Sequence, residues 1–174
     1  EREAVLSPEE AWLMVSMMKD VIVRGSAARV WGSGFHVPAG GKTGTTNDHR
    51  NGAFLGHISG PSAEKGFFDS DSGYTIGVYV GFDHNQEMAQ KGFRGFGGTV
   101  SLDAWIGMAN AIAQTNHYYN SLDFLDLNMQ VNQKVPMLNS DKIQAYKVDK
   151  NTGLRLDSNT MEQTPTSFFY LREN

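Results

Sequence analysis

Lys42, Thr43, Gly44, Thr45 and Thr46 stand together in the run VPAGGKTGTTND, residues 37–48. A lysine set between glycine and threonine serves two chemistries. In the first, a glycine-rich turn wraps a phosphate and the lysine reaches its charge. In the second, the triplet Lys-Thr-Gly lies on a strand at the edge of a cleft. The ammonium relays protons and holds a positive field, and the glycine lets an acyl substrate lie against the strand as an added strand would. The residue after the glycine then gives its backbone N–H to a developing oxyanion. A phosphate wrap needs a glycine five residues before Gly41. His36 holds that place and Pro38 falls inside the would-be wrap, so the phosphate reading fails.

Acyl transfer also needs a nucleophile. Ser-x-x-Lys occurs twice, as Ser16 to Lys19 and Ser62 to Lys65, a frequency close to chance for this composition. Ser16 falls inside a helical pattern, with Lys19 on its face, and Ser62 falls in a loop after a strand. Ser-x-Asn does not occur. Tyr118-Tyr119-Asn120 fits a Tyr-x-Asn variant, but after the Lys-Thr-Gly strand in chain order. His36, His49, His57, His84 and His117 show no zinc spacing, and Asp69, Asp71 and Gly73 break the calcium-loop pattern and read as a polar turn. No metal or organic cofactor is implied. Met14, Met17 and Met18 read as core, Asp83 as a loop-orienting residue and Arg29 as a buttress to a strand.

The elements that must hold the Lys42 run follow from periodicity. Ser7-Pro8-Glu9-Glu10 is a capping box opening a helix, with Ala11, Met14, Met18, Val21 and Ile22 at helical spacing and Gly25 just past its end. A short helical turn covers Ser26 to Trp31. Three strands follow: GGKTGTT, GAFLGHIS and YTIGVYVGF. The connection GPSAEKGFFDSDSG reads as an exposed loop or an extended hairpin tip. GFRGFGGT is a loop before a second helix, Ser101 to about Gln114, with Leu102, Trp105, Ile106, Ala109, Ile112 and Ala113 on its apolar face. Residues 116–142 are polar and aperiodic. IQAYKVDKNTGLRLDS then reads as a hairpin turning at KNTG, with Gly153 at a positive φ. The class is α+β, an antiparallel sheet packed against helices.

The 174 residues can bury a sizeable core, and 40% apolar with 11% aromatic is globular composition. A net charge of −4 gives no footprint for nucleic acid, and no run of basic residues would hold an anionic membrane. No apolar run reaches the roughly 20 residues that span a bilayer, and the first residues lack the pattern of a signal peptide. Cysteine is absent, which fits an oxidising compartment without requiring one. A start at Glu1 without methionine suggests a piece of something longer.

Lys-Thr-Gly is a signature of penicillin-binding proteins and β-lactamases. LMVSMMKDVIVRGSAARV, GGKTGTTND, YTIGVYVGFD and SLDAWIGM, in that order, resemble the C-terminal half of the transpeptidase domain of a penicillin-binding protein. The bifunctional kind, with a glycosyltransferase domain upstream, is the nearest in pattern. The resemblance spans residues 7–114 and extends loosely through VDKNTGLRL and TPTSFFYL. It departs at Gly52-Ala53-Phe54, where the family has an aspartate and a tryptophan, and at a longer 60–73 connection.

The resemblance implies that residues 1–115 are the C-terminal half of that domain and 116–174 its β-rich extension, with the N-terminal half absent. It implies a peptidoglycan D,D-transpeptidase at the extracytoplasmic face of a bacterial membrane, anchored by a segment outside this chain. D-Ala-D-Ala stem peptides and β-lactams would be its ligands. Lys42 would relay protons. Thr43 and Thr45 hydroxyls would bind the substrate carboxylate, the Thr45 N–H would be half of an oxyanion hole, Gly44 would allow close approach, and Thr46 would support them. Ser16 would match a helix that packs the sheet rather than the nucleophile, leaving the fragment inactive alone and prone to self-association through uncovered apolar surface. Two other expectations stay open: a non-catalytic cell-wall or protein-binding module of the same fold, and a β-lactamase or D,D-carboxypeptidase fragment.

Overall fold

The structure is a computed structural model that describes residues 4–62, 67–88, 97–120, 140–149, 151–152, 154–156 and 166–171. The chain forms two compact units, one of Ser16–Val135 and one of Glu1–Val15 with Pro136–Asn174.

Helix α1 runs Pro8–Val23. Its capping box forms as the sequence requires: Glu10 accepts from the Ser7 backbone N–H at 2.8 Å while Ser7 Oγ accepts from the Glu10 N–H at 3.3 Å. A four-residue helix α2, Arg29–Gly32, comes later and shorter than the Ser26–Trp31 turn expected, because residues 26–28 form plain turns. Strands β1 (Ala39–Thr45), β2 (Asn51–Ser62) and β3 (Phe67–Gly81) pair antiparallel in that order. Register runs from Ala39 opposite Ile58 to Thr45 opposite Gly52, and from Asn51 opposite Gly81 to Ile58 opposite Tyr74. After a shift between Ile58 and Gly60, β2 and β3 continue to Ser62 opposite Phe67. The 60–73 connection is therefore a hairpin arm, the second of the two alternatives read from sequence. Asp69 and Asp71 lie on its returning strand, not in a turn.

Helices α3 (Gly97–Val100) and α4 (Leu102–Thr115) cover one face of this sheet. Strand side chains alternate faces, so Phe54 and Ile58 of β2 and Ile76 of β3 meet the apolar stripe of α4. Trp105 is its centre. It is fully buried, stands edge-on to Phe54 at 5.0 Å and Phe35 at 6.1 Å, and donates its indole N–H to the Ile76 carbonyl at 3.1 Å. Leu102, Ile106, Ala109 and Ala113 are buried beside it and Ile112 packs at the margin, which is the face the spacing predicts. The departure at Gly52 has a local reason. A Cβ there would meet Val100 Cγ2 at 2.6 Å, so α3 seats only on a bare backbone.

Met14 and Met17 are 48% and 57% exposed, against the expectation that all three methionines are core. Ile22 is the buried residue of α1, and its other apolar positions are half-buried or exposed. No helix among the described residues is long and apolar enough to cross a membrane.

In the other unit, β4 (Ile143–Val148) pairs antiparallel with β5 (Thr166–Leu171). The hairpin expected over 143–158 is reduced to one bridge, Val148 to Arg155, with Asp149 accepting from the Asn151 and Thr152 N–H groups at 2.9 and 2.6 Å to close the turn. Strand β5 pairs along the other edge of β4, since Val148 stands opposite both Arg155 and Thr166. Gly153 lies outside the described residues. Arg155 stacks over the Tyr146 ring at 4.0 Å, and Ser140 donates to Glu9 at 2.8 Å, lowering the Glu9 carboxyl.

Candidate functional site

The Lys-Thr-Gly run is the second half of β1, and β1 is the outer strand of the three. In an antiparallel ladder, the N–H and C=O of one residue point the same way and alternate along the strand. Thr46 N–H donates to the Asn51 carbonyl at 3.0 Å and the Pro38 carbonyl accepts from Ser59 N–H at 2.8 Å, so even-numbered residues turn their backbone toward β2. Thr43 and Thr45 therefore turn theirs toward the other edge, where no strand pairs among the described residues. The Thr45 N–H faces that open edge.

Side chains divide the run differently. Thr43 and Thr45 share the face covered by α3, whereas Lys42 and Gly44 lie on the opposite face with Leu55 and Ala53 opposite them. Lys42 nevertheless reaches the edge, because its flexible stem curls back and the ammonium donates to the Thr43 carbonyl at 2.7 Å. The ammonium and the Thr45 N–H thus converge on one strand edge from different faces.

The threonine hydroxyls are already held. Thr43 Oγ1 and Ser26 Oγ lie 2.9 Å apart, and Thr45 Oγ1 accepts from the Gly97 N–H at 2.9 Å. Gly97 is forced at that place, since a Cβ would come within 2.0 Å of the Gly44 carbonyl and 2.5 Å of that of Ala53. Thr46 closes the connection to β2: its Oγ1 accepts from the Asn51 N–H at 2.9 Å. Ser26 and Gly97 were not singled out from sequence. Each is 17 or more residues from its threonine, and no periodicity connects them.

Ser16 and Lys19 lie toward the start of β1, away from the Thr45 N–H. Lys19 packs where β1 begins, since a Cβ on Gly40 would meet the Lys19 backbone N at 3.1 Å and His57 Cε1 at 2.7 Å. Gly40 precedes Thr45 by five residues, about 16 Å of strand, and Ser16 is one helical turn from Lys19, about 5 Å. Ser16 therefore stays at least about 8 Å from the Thr45 N–H. Burial lowers Lys19 to about 8 and holds the His57 imidazole below its usual value. Ser62 is the last residue of β2 rather than part of a loop, and Lys65 lies outside the described residues.

The remaining candidates resolve into packing. Tyr118 of the Tyr-x-Asn run is buried against Phe68, rings 5.8 Å apart, in a short turn Tyr118–Asn120 after α4. Arg29 pairs with Asp103 at the start of α4 instead of bracing a strand. At the turn before β2, Asn85 rather than Asp83 makes the orienting bonds, accepting from Arg50 at 2.5 Å and from Asn51 at 3.3 Å. Among the described residues, no group of three His, Asp or Glu side chains is placed to hold a metal ion.

No family model matches the chain. Penicillin-binding protein 1A of Pseudomonas aeruginosa is 36% identical over 104 residues, which is 60% of this chain and 11% of that protein. Penicillin-binding protein 1A of Neisseria gonorrhoeae is 33% identical over 101 residues, 58% of this chain and 10% of that protein. The chain thus spans about a tenth of the length of the relatives it matches. The crystal structure of penicillin-binding protein 1A from Haemophilus influenzae superposes with a TM-score of 0.58 at 23% identity, covering 96% of this chain and 21% of that one. The chain is a homologue of penicillin-binding protein 1A over about 60% of its length, and its α+β fold matches that of about a fifth of the Haemophilus influenzae protein.

Proposed function

We propose that this chain is the C-terminal part of the transpeptidase domain of a bifunctional peptidoglycan D,D-transpeptidase, working at the extracytoplasmic face of a bacterial membrane. The carrying observation is the convergence of the Lys42 ammonium and the Thr45 N–H on the open edge of β1. A D-Ala-D-Ala stem peptide, or a β-lactam in its place, lies along that edge with its carbonyl oxygen against the Thr45 N–H. As a serine attacks the carbonyl carbon, charge collects on that oxygen and the N–H stabilises it without having to move. D-alanine leaves with a proton, and the acyl group passes from the serine to a neighbouring strand's amine. Lys42 carries the positive field and takes part in the proton relay. Thr43 and Thr45 hold the substrate carboxylate, Gly44 allows close approach, and Thr46 holds the strand's end.

In this reading residues 1–115 complete the domain and 116–174 extend it. The serine comes from sequence outside these 174 residues, a view supported by the distance of Ser16 from the edge. The test is to label the full-length protein with a fluorescent penicillin and locate the adduct by peptide mass spectrometry. The expected adduct is on a serine upstream of Glu1 in a Ser-x-x-Lys sequence. Absence of any adduct on the full-length protein overturns the proposal.

A further inference from the structure

We infer that Ser26 and Gly97 are positioning residues that turn the hydroxyl protons of Thr43 and Thr45 toward a carboxylate at the open edge of β1. A threonine hydroxyl carries one proton and two lone pairs, and rotates to suit its neighbours. At Thr45 the Gly97 N–H fills an acceptor site at 2.9 Å, so the proton has to leave in another direction. At Thr43 the partner is Ser26 Oγ at 2.9 Å, where either hydroxyl is able to donate. An arriving anion decides that direction: Ser26 donates to Thr43 and Thr43 donates to the anion, each bond polarising the next. Residues 43 and 45 stand about 7 Å apart along one strand face, a span that a single carboxylate bridges with a bond of about 2.7 Å on either side.

The two devices differ in how firmly they are built. Gly97 is wedged between the carbonyls of Gly44 and Ala53, so its N–H is fixed in place. Ser26 sits exposed in the turn after α1, and its own carbonyl lies 2.9 Å from where a Cβ on Gly98 would stand. Residues 97–98 thus press on both positioning contacts at once. Ser26 can lose its hydroxyl without opening the core, which makes it the residue to test.

The inference rests on the transpeptidase reading, and the test separates the two. In the full-length protein, the acylation rate constant is measured for benzylpenicillin and for its methyl ester, which lacks the carboxylate. Ser26→Ala is expected to lower the ratio of the two constants by about threefold to tenfold, the worth of one oriented hydrogen bond. Ser26→Thr is expected to restore it. In a Thr43→Val background, Ser26→Ala should change the ratio no further, since the two act through one hydroxyl. A parallel fall for both ligands, or no fall for either, overturns the inference while leaving the transpeptidase reading intact. Failure of the unsubstituted protein to react with benzylpenicillin overturns both.

Discussion

Lys42 is the residue on which the proposed chemistry leans hardest, and its surroundings make it a clean one to remove. Its side chain is exposed, and its one bond among the described residues is to the neighbouring Thr43 carbonyl. Truncation therefore takes away charge without taking away packing. Lys42→Ala in the full-length protein is expected to slow penicillin acylation by about 10² or more, with unchanged thermal unfolding. Unaltered acylation would make Lys42 a solvated edge residue that merely discourages strand-to-strand association, a common use of lysine at such places. Thr45 separates two roles within one residue. Thr45→Val keeps the backbone N–H and deletes the hydroxyl, so binding of the carboxylate should weaken more than the maximal acylation rate.

At the scale of elements, the seating of α3 on β1 and β2 is set by backbone contact. Gly97→Ala drives a methyl group into two strand carbonyls that cannot step aside, so α3 must shift, at about 1–3 kcal/mol. Gly107 in α4 is the control, since nothing lies within 4 Å of where its Cβ would be. Gly107→Ala should stabilise by about 0.5–1 kcal/mol through helix propensity alone. Urea unfolding of the pair should show opposite signs. The contact of α1 with the sheet carries a pH dependence. Burial lowers the His57 pKa below the ordinary 6.5, so the unfolded chain takes up a proton that the folded chain refuses. Its contribution is complete above pH 6.5 and is lost as pH falls from there toward the folded value. His57→Gln should flatten the fall of the urea midpoint between pH 7 and 5. An unchanged slope would show that His57 titrates as freely folded as unfolded.

At the scale of the molecule, the serine beside the open edge of β1 among the described residues is Ser26, which has Arg29 where a Ser-x-x-Lys pair has its lysine, and Ser16 stays about a helix diameter away. Residues 1–174 alone are therefore expected to give no acyl adduct with a fluorescent penicillin, read by intact-mass spectrometry. A stable adduct on Ser16 would reverse the assignment of the site. On the face of the sheet opposite α4, Leu55 is 57% exposed and Tyr79 70% exposed beyond the contact with α1, and α1 adds Met17. Apolar surface of this kind favours self-association, so sedimentation of the isolated fragment should show species above 19.2 kDa.

Local chemistry in the sequence determined much of this. The capping box at Ser7 and Glu10, the stripe on α4 and the alternation in β3 are read over a few residues, where the periods of helix and strand differ plainly. The Lys-Thr-Gly run was visible because its residue types are unusual together, and the resemblance that it anchored holds against penicillin-binding protein 1A. Three things were decided only in the tertiary structure. Residues 60–62 and 67–73 became strand because pairing across a hairpin satisfies their backbone, whatever their serines and glycines prefer alone. The pairing of β4 with β5, from Val148 opposite Thr166 to Ile143 opposite Leu171, joins segments that no local pattern connects. Gly97 reached Thr45 across 52 residues and Ser26 reached Thr43 across 17, contacts that depend on how α3 and the turn after α1 seat on the sheet and that no local pattern records.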